Sequence, residues 1–520
     1  MKLDFTRDTK RNVTASAINS ILKLFFPFLN RTLFLWLLGP EYLGLNGLFN
    51  SILGVLMLTE LGFGSAVHAS MYKSIAEDNR EQVCAYLRFY RFVYRGVGSV
   101  ILVIGLCLLP FLRRLIHGNT PPGLNLHILY LIHLVNTAAS YFFFAYRGSI
   151  LGAHNRTDVM ANIRTFVSVV QYITVFLILI LTRNYYFYVL TTVAFTIIIN
   201  LLIFRESRRL YPDMEPHGNL PPELRSRIFS DVKSIFLHKV GGTISYRVDD
   251  IVISAFLGLT AVAIYGNYYY VVTSVCGLVG AVYASMPGGF GNKIHTVSKE
   301  ENFELFMKMC HLTQIIIVWC AAMMIALYQP FITVWTKGNP IMVRHLLTPI
   351  LMVLYFYVNQ SRQTLLIFKA AALLWKQDRL KPIVAGAINL AININMVIFL
   401  PEEYKLDGVV FSTIVSFAFI QIPWETHVVF TQFFNREQQN RYWYHHLTFA
   451  ALALFLCAIT WGAVYLIPID GFQGLFVKGV AAATISTLAV LAFFHRDLIV
   501  FFSSRKGSSN SDKPSRTSTN

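Results

Sequence analysis

Charged and strongly polar side chains interrupt two apolar segments of this chain. They are Lys23, Asn30 and Arg31 near the start, and Arg247, Asp249 and Asp250 near the middle. A charge at membrane depth costs roughly 2.5–3.5 kcal/mol on insertion scales, so such residues face a bundle interior or a watery cavity. Cationic side chains in such a cavity suit an anionic substrate, and a carboxylate suits a proton or a cation. The residue types therefore predict transport.

In the first segment the polar residues form a stripe. At 100° per residue, Lys23 and Asn30 fall within about 60° of each other, and Arg31 lies at the flank of the same stripe. Alternatively, Lys23 and Arg31 extend toward opposite membrane interfaces along their aliphatic stems. Several polar residues on one stripe favour a lined cavity, so these three residues are predicted to bind substrate.

In the middle segment the two acidic residues are expected to differ in role. Arg247 and Asp250 are spaced i, i+3 and can form an ion pair within one helix. Asp249 lies on another face and has no comparable local partner. We therefore predict Asp249 as the site of a proton or a cation. Asp250 is a second candidate for ion coupling. Its alternative role is the structural ion pair with Arg247.

Two further charges are weaker candidates. Glu60 lies near the end of the second apolar segment, where its side chain can also reach water, and it is a third candidate for ion coupling. Arg362 belongs to the polar run Asn359–Gln363 in an otherwise apolar segment. A cavity-lining, substrate-binding role is predicted for Arg362.

The segments that position these residues predict an all-α integral membrane protein. The chain has 520 residues, of which 55% are hydrophobic and 14% are charged, and its mean hydropathy is +0.53. Soluble domains carry about 25% charged residues. Hydropathy predicts about 14 transmembrane helices, at 13–38, 43–68, 91–112, 124–145, 159–182, 185–204, 235–257, 260–284, 309–335, 342–368, 382–401, 406–428, 446–467 and 474–500.

The positive charges predict the orientation of these spans. With a cytoplasmic N-terminus, 33 of the 44 Lys and Arg residues fall on cytoplasmic segments and 7 on the opposite side. The other four, Lys23, Arg31, Arg247 and Arg362, lie within spans. Such a bias is the positive-inside signal, and it predicts that both termini are cytoplasmic. Membrane topology and contact with anionic lipid headgroups therefore explain the net charge of +17. Nucleic-acid binding is not needed to explain it.

An internal repeat relates the two charged segments. A shift of 219 residues places Leu38-Gly39 on Leu257-Gly258, Gly47 on Gly266, and Asn30-Arg31 on Asp249-Asp250. Internal repeats are common in secondary transporters, whose substrate site lies between the repeats. The predicted organisation is two six-helix lobes related by a pseudo-two-fold repeat, at 1–204 and 235–430, with a cytoplasmic linker at 205–234, two extra C-terminal helices within 445–502 and a disordered cytoplasmic tail at 503–520.

Signatures of enzymes and cofactor sites are missing from the sequence. There is no phosphate-binding G-x-x-x-x-G-K-[ST] and no H-E-x-x-H, and the six cysteines show no metal-ligand spacing. The expectation is a protein that is not an enzyme, with no catalytic residue, metal or cofactor.

The motifs around the charged segments resemble those of a known transporter group. They are LGPEYLGLNG at 38–47, ELGFG at 60–64, VDDIVIS at 248–254, FLG at 256–258 and IYG at 264–266. Over about residues 10–430 the chain resembles the polysaccharide transporter branch of the multidrug/oligosaccharidyl-lipid/polysaccharide exporter superfamily, which contains the Wzx-type flippases.

The resemblance implies a cargo of polyprenyl-diphosphate-linked oligosaccharide, moved from the cytoplasmic to the outer leaflet by alternating access. Lys23, Arg31, Arg247 and Arg362 would contact the diphosphate. It also implies the bacterial cytoplasmic (inner) membrane, surface polysaccharide synthesis, and polymerase and glycosyltransferase partners. Alternatives are a cation-coupled multidrug exporter or a peptidoglycan-precursor flippase of the same superfamily. A membrane polymerase or glycosyltransferase is disfavoured, because the outside loops are short.

Overall fold

All regular secondary structure in the described part of the chain is helical. The computed structural model describes residues 25–508 apart from 61–62, 119, 155, 285, 287–289, 291–293, 295, 375 and 379. No strand occurs among these residues. The prediction of an all-α protein is therefore confirmed.

Eighteen α-helices are described, and we number them in chain order. They are α1 (described over 25–37), α2 (Pro40–Leu56), α3 (Phe63–Ala76), α4 (Arg80–Leu108), α5 (Leu126–Phe142), α6 (Gly148–Ala153), α7 (Thr157–Thr182), α8 (Tyr185–Leu210), α9 (Pro222–Leu257), α10 (Leu259–Tyr283), α11 (Lys299–Trp335), α12 (Leu347–Ser361), α13 (Gln363–Ala371), α14 (Lys381–Phe399), α15 (Lys405–Val415), α16 (Ile422–Gln432), α17 (Arg436–Tyr465) and α18 (Gly471–Ser508). A π-helical turn, Ser416–Gln421, joins α15 to α16.

Many of these helices are long and apolar enough to cross a membrane. Among the described residues nine segments qualify by length and composition, and a tenth if Leu126–Phe142 and Ala145–Ala153 form one span bent by 43°. Their mean hydropathies lie between 1.3 and 2.3. The chain is therefore a multi-pass membrane protein, and the number fourteen stays a prediction.

Two glycines that the repeat superposes end helices in the same way. Gly39 precedes α2 with φ 105° and ψ 174°, and Gly258 precedes α10 with φ 87° and ψ 179°. Only glycine adopts this region readily, because a side chain would clash with the backbone. Equivalent positions of the proposed repeat thus share an unusual backbone conformation, as related segments would.

The described residues divide into two compact units. The first contains those up to Tyr270 together with Asp378–Gln421. Within it α9 packs against α2 and α14, and α8 packs against α5 and α7. Gly44 allows a close approach here, because a Cβ at this position would collide with the carbonyl oxygen of Leu259 at the start of α10. The predicted division into lobes stays a prediction.

A buried arginine in the first unit holds the connection between α8 and α9, which is non-helical over residues 211–221. Arg147 is 1% exposed and donates hydrogen bonds to the carbonyl of Met214 (2.7 Å) and to the carboxylate of Glu215 (2.6 Å). Its guanidinium also lies 5.5 Å from the ring centre of Phe204. These contacts fix the connection against the helical bundle.

The second unit contains Val271–Gln377 and the described residues from Ile422 onward. Its central helix is α11, which packs against α12, α17 and α18. Val318 of α11 and Phe449 and Leu456 of α17 belong to one apolar cluster and are at most 4% exposed. This packing supports the segment around Arg362.

Candidate functional site

Arg31 of α1 is held against α10 by neutral groups. Its Nε donates to Oδ1 of Asn267 at 2.7 Å, and its guanidinium lies 5.9 Å from the ring centre of Tyr270. Gly266 makes room for it, since a Cβ there would lie 2.6 Å from Nη2 of Arg31. Within the described residues no carboxylate lies within 4 Å of this guanidinium, so its positive charge is not neutralised by direct pairing.

Asp250 of α9 has a partner on another helix. Ser51 of α2 donates to its Oδ2 at 2.6 Å, and the carboxylate also interacts electrostatically with Arg31 and Arg247. The alternative role of Asp250, an ion pair with Arg247, is not seen, because no nitrogen of Arg247 lies within 4 Å of its carboxylate oxygens in the described structure. Arg247 instead extends toward α2, where a Cβ on Gly54 would lie 3.0 Å from its Nε.

These two sets of contacts are equivalent under the repeat. The shift of 219 residues carries Arg31 onto Asp250 and Ser51 onto Tyr270. In one contact the first-repeat residue Arg31 meets Tyr270, the second-repeat counterpart of Ser51. In the other contact Ser51 meets Asp250, the second-repeat counterpart of Arg31. Reciprocal contacts of this kind are what a two-fold arrangement of related segments predicts.

Polar atoms without partners lie beside Arg31. Asn30 donates to the hydroxyl of Tyr188 at 3.2 Å, but its buried Oδ1 accepts no hydrogen bond within the described structure. Nδ2 of Asn267, a residue that is 1% exposed, donates no hydrogen bond within the described structure. Buried polar atoms are normally satisfied. Unsatisfied atoms next to a cation indicate room for water or for a polar ligand.

Asp249 lies at the centre of a hydrogen-bond network between four helices. The carboxylate is 2% exposed. It accepts hydrogen bonds from Nδ2 of Asn393 (2.6 Å), the hydroxyl of Tyr265 (3.1 Å) and the hydroxyl of Thr413 (3.3 Å). Ser412 Oγ lies 2.6 Å from Oδ1 of Asn393. One amide nitrogen and two hydroxyl groups thus surround one carboxylate.

This environment suits a proton or a hard cation. Within the described residues no cationic side chain lies within 4 Å of Asp249, so hydrogen bonds alone offset its charge. A buried unpaired carboxylate is costly, and a bound proton or cation would remove that cost. The carboxylate of Asp249 and the hydroxyls of Tyr265 and Thr413 are oxygen ligands of the kind that hard cations prefer. The role of Asp249 in ion coupling stays a prediction, and the structure defines the groups that surround its carboxylate.

Arg362 lies in the second unit and is paired. At the junction of α12 and α13 its Nη2 and Nε donate to Oε1 (2.7 Å) and Oε2 (3.2 Å) of Glu425 in α16. The two side chains are 7% and 0% exposed. Forked pairing of this geometry satisfies both groups. The predicted substrate-binding role of Arg362 would require this pair to open.

Breaking this pair from one side should destabilise the protein more than removing it entirely. Arg362→Met or Glu425→Leu alone leaves a buried charge, at a cost of about 3–5 kcal/mol, whereas the double variant leaves none. We expect thermal unfolding of the detergent-purified protein to show low midpoints for both single variants and recovery in the double variant. Midpoints that fall additively would show that the two side chains do not stabilise each other.

Two predicted residues cannot be placed. Lys23 lies outside the described residues, and the side chain of Glu60 does too, although its backbone closes a 3-10 turn, Met57–Glu60. Sequence reasoning missed the residues that contact the charged groups, which are Ser51, Tyr265, Asn267, Asn393 and Thr413. Asn393 had a signal, since it lies one turn from Asn389 in an apolar helix; the others are common residues in such helices.

The fold is shared with known transporters. It is similar to the lipid II flippase MurJ in an inward closed conformation, with a TM-score of 0.62 and 17% identity over 94% of this chain and 99% of that chain. It is also similar to an inward-facing multidrug resistance MATE family transporter of the MOP superfamily, with a TM-score of 0.56 and 15% identity over 79% of this chain and 94% of that chain. At these identities the likeness shows the fold alone.

Sequence comparison gives the family. No curated protein matches the chain. The sequence profile described as "Polysaccharide biosynthesis protein" matches residues 9–286, which is more than half of the 520 residues and includes Arg31, Arg247, Asp249 and Asp250. The chain, a multi-pass membrane protein with the fold of MOP-superfamily transporters, therefore belongs to the polysaccharide biosynthesis protein family.

Proposed function

We propose that this protein is a flippase that moves polyprenyl-diphosphate-linked oligosaccharide from the cytoplasmic to the outer leaflet of a bacterial cytoplasmic membrane. It works by alternating access and is not an enzyme. Both termini are cytoplasmic, as the charge distribution predicts. A polymerase and glycosyltransferases of surface polysaccharide synthesis are its proposed partners.

One observation carries the proposal. Two arginines lie near Asp250, Arg31 of α1 and Arg247 of α9, and neither has a carboxylate oxygen within 4 Å in the described structure. Arg31, Arg247 and Asp250 together carry one more positive than negative charge, and Nδ2 of Asn267 beside Arg31 is an unused hydrogen-bond donor. A diphosphate supplies negative charge for the arginines and an acceptor for this donor.

The membrane potential favours the proposed direction. An inside-negative potential contributes about 2.3 kcal/mol per charge per 100 mV to outward movement of an anion. Asp249 is proposed as the site where a proton or a cation binds and couples transport to an ion gradient. It is adjacent in sequence to Asp250 and interacts with it electrostatically. Binding of an ion at Asp249 would therefore change the electrostatic potential at Asp250 and the two arginines.

Reconstitution in liposomes tests this function. A fluorescent polyprenyl-diphosphate oligosaccharide is placed in both leaflets, and a membrane-impermeant reductant reports how fast the inner pool becomes accessible. We expect the protein to accelerate this movement at least tenfold over empty liposomes. A glycosyl polyprenol without the diphosphate should not be moved, because it offers no charge to the arginines.

Two further substrates separate the alternatives. A peptidoglycan precursor carries the same diphosphate with another glycan, so faster movement of this lipid would assign the protein to that pathway. A cationic dye represents the multidrug exporter. Transport of the dye without transport of either lipid would contradict the proposed function.

A further inference from the structure

A further arginine lines a cleft between α1 and α7, and Arg31 is not part of the lining of this cleft. The cleft has a volume of about 420 Å³, within the range of small-molecule sites. Phe26 and Pro27 of α1 form one wall. The other wall is a face of α7 that includes Arg164, Thr165, Ser168 and Tyr172.

Arg164 is an unusual residue for this position. It lies seven residues beyond Thr157, the first residue of α7, which is about 10 Å along the helix axis. The side chain is exposed and forms no ion pair or hydrogen bond within the described structure. An unpaired arginine inside an apolar helix, whose hydropathy reaches 2.2, is costly unless it meets an anion or extends to the interface.

Hydroxyl groups accompany the arginine. Thr165 and Ser168 lie three residues apart on the same face of α7 and line the cleft with Arg164. The buried hydroxyl of Thr165 has no hydrogen-bond partner, although a helical threonine commonly donates to the carbonyl four residues earlier. A guanidinium and an unpartnered hydroxyl together match the acceptors of a phosphate.

Two aromatic rings also line the cleft. The rings of Phe26 and Tyr172 stack with centroids 5.7 Å apart and an interplanar angle of 6°. Phe176, one turn further along α7, stacks on Phe26 at 6.4 Å. Flat apolar rings next to a cation suit a molecule that joins a phosphate to an isoprenoid chain.

We propose that the cleft between α1 and α7 binds the phosphate end of a polyprenyl-phosphate lipid and is where this substrate first contacts the protein. Arg164 and the hydroxyls of Thr165 and Ser168 contact the phosphate, and the adjoining isoprene units pack against Phe26 and Tyr172. The positive-inside pattern puts the Thr157 end of α7 at the cytoplasmic face, in the leaflet where the substrate is made. The proposal rests on the proposed function.

Binding to the full-length protein in phosphatidylcholine nanodiscs tests it, with farnesyl diphosphate as the probe. We expect Arg164→Gln to weaken binding about tenfold or more, as loss of a charged hydrogen bond does. Arg164→Lys should retain most of the affinity. Thr165→Val and Ser168→Ala should each weaken binding severalfold, so the test does not depend on one variant folding. Farnesol and inorganic diphosphate should bind at least tenfold more weakly than the probe.

Arg95→Gln is the matched control. Arg95 is exposed on α4, another candidate span, and forms no ion pair within the described residues. The Arg95→Gln variant should bind farnesyl diphosphate with the affinity of the wild type. Wild-type affinity in Arg164→Gln, Thr165→Val and Ser168→Ala would overturn the proposed binding site in the cleft and would leave the proposed flippase function standing. A wild-type protein that does not bind the probe would also overturn the cleft site, and the liposome assay would decide the flippase function separately. Phosphatidylglycerol competing as well as the probe would identify an ordinary headgroup site and overturn the specific one.

Discussion

Replacing Arg31 by glutamine is expected to slow the movement of polyprenyl-diphosphate oligosaccharide in liposomes by at least tenfold. Glutamine retains a donor for Asn267 but removes the positive charge over Tyr270. A hydrogen bond to a charged group contributes about 1.5–3 kcal/mol, which corresponds to roughly tenfold or more in affinity. Arg247→Gln should have a similar effect, because Arg247 is the second cation near Asp250.

The same variants should stop surface polysaccharide export in cells, and the sequence predicts the same for Lys23→Ala. Each must be inserted in the membrane and elute as a folded protein, so that loss of transport is not loss of structure. Arg183→Gln is the control, since Arg183 is exposed after the last turn of α7. Wild-type export by the variants at Arg31 and Arg247 would exclude the cationic cluster as the substrate site.

Asp249→Asn should remove the dependence of transport on an ion gradient while leaving substrate binding close to that of the wild type. Asparagine has nearly the same shape, but it can be neither protonated nor act as a charged cation ligand. One of its two polar atoms is a donor, so at least one of the hydrogen bonds from Asn393, Tyr265 and Thr413 must be lost. The rate should be measured under imposed sodium and proton gradients.

Asp250→Asn provides the matched comparison, because Asp250 is the next residue of α9 and accepts its hydrogen bond from Ser51. We expect this variant to respond to the ion gradient and to change mainly the affinity for substrate. Loss of ion dependence at Asp250 together with its retention at Asp249 would contradict the assignment. Equal loss at both would show that the two carboxylates act as one site.

The repeat is the point at which sequence and structure inform each other most. The sequence aligns Arg31 with Asp250 and Gly39 with Gly258 on few identities. The structure adds that both glycines share one backbone conformation. It also adds that each of the two charged residues contacts the residue that the repeat relates to the other one's partner. Such agreement would be unexpected if the alignment were accidental.

The sequence by itself determined that this is an all-α membrane protein, which helix faces are polar, and which family the motifs resemble. These are local properties, because hydropathy and a period of 3.6 residues depend only on neighbours along the chain. The costly position of Asp249 and Arg31 in apolar segments was visible for the same reason.

Only the tertiary structure decided what each charge meets. Asp250 contacts Ser51, 199 residues away, in place of Arg247 on its own helix, and Asp249 contacts Asn393, 144 residues away. Arg362 is paired with Glu425, while Arg164 lines a cleft. Helical periodicity fixes the direction of a side chain but not the helix that packs against it, and packing alone determines whether a membrane charge is neutralised or left for a ligand.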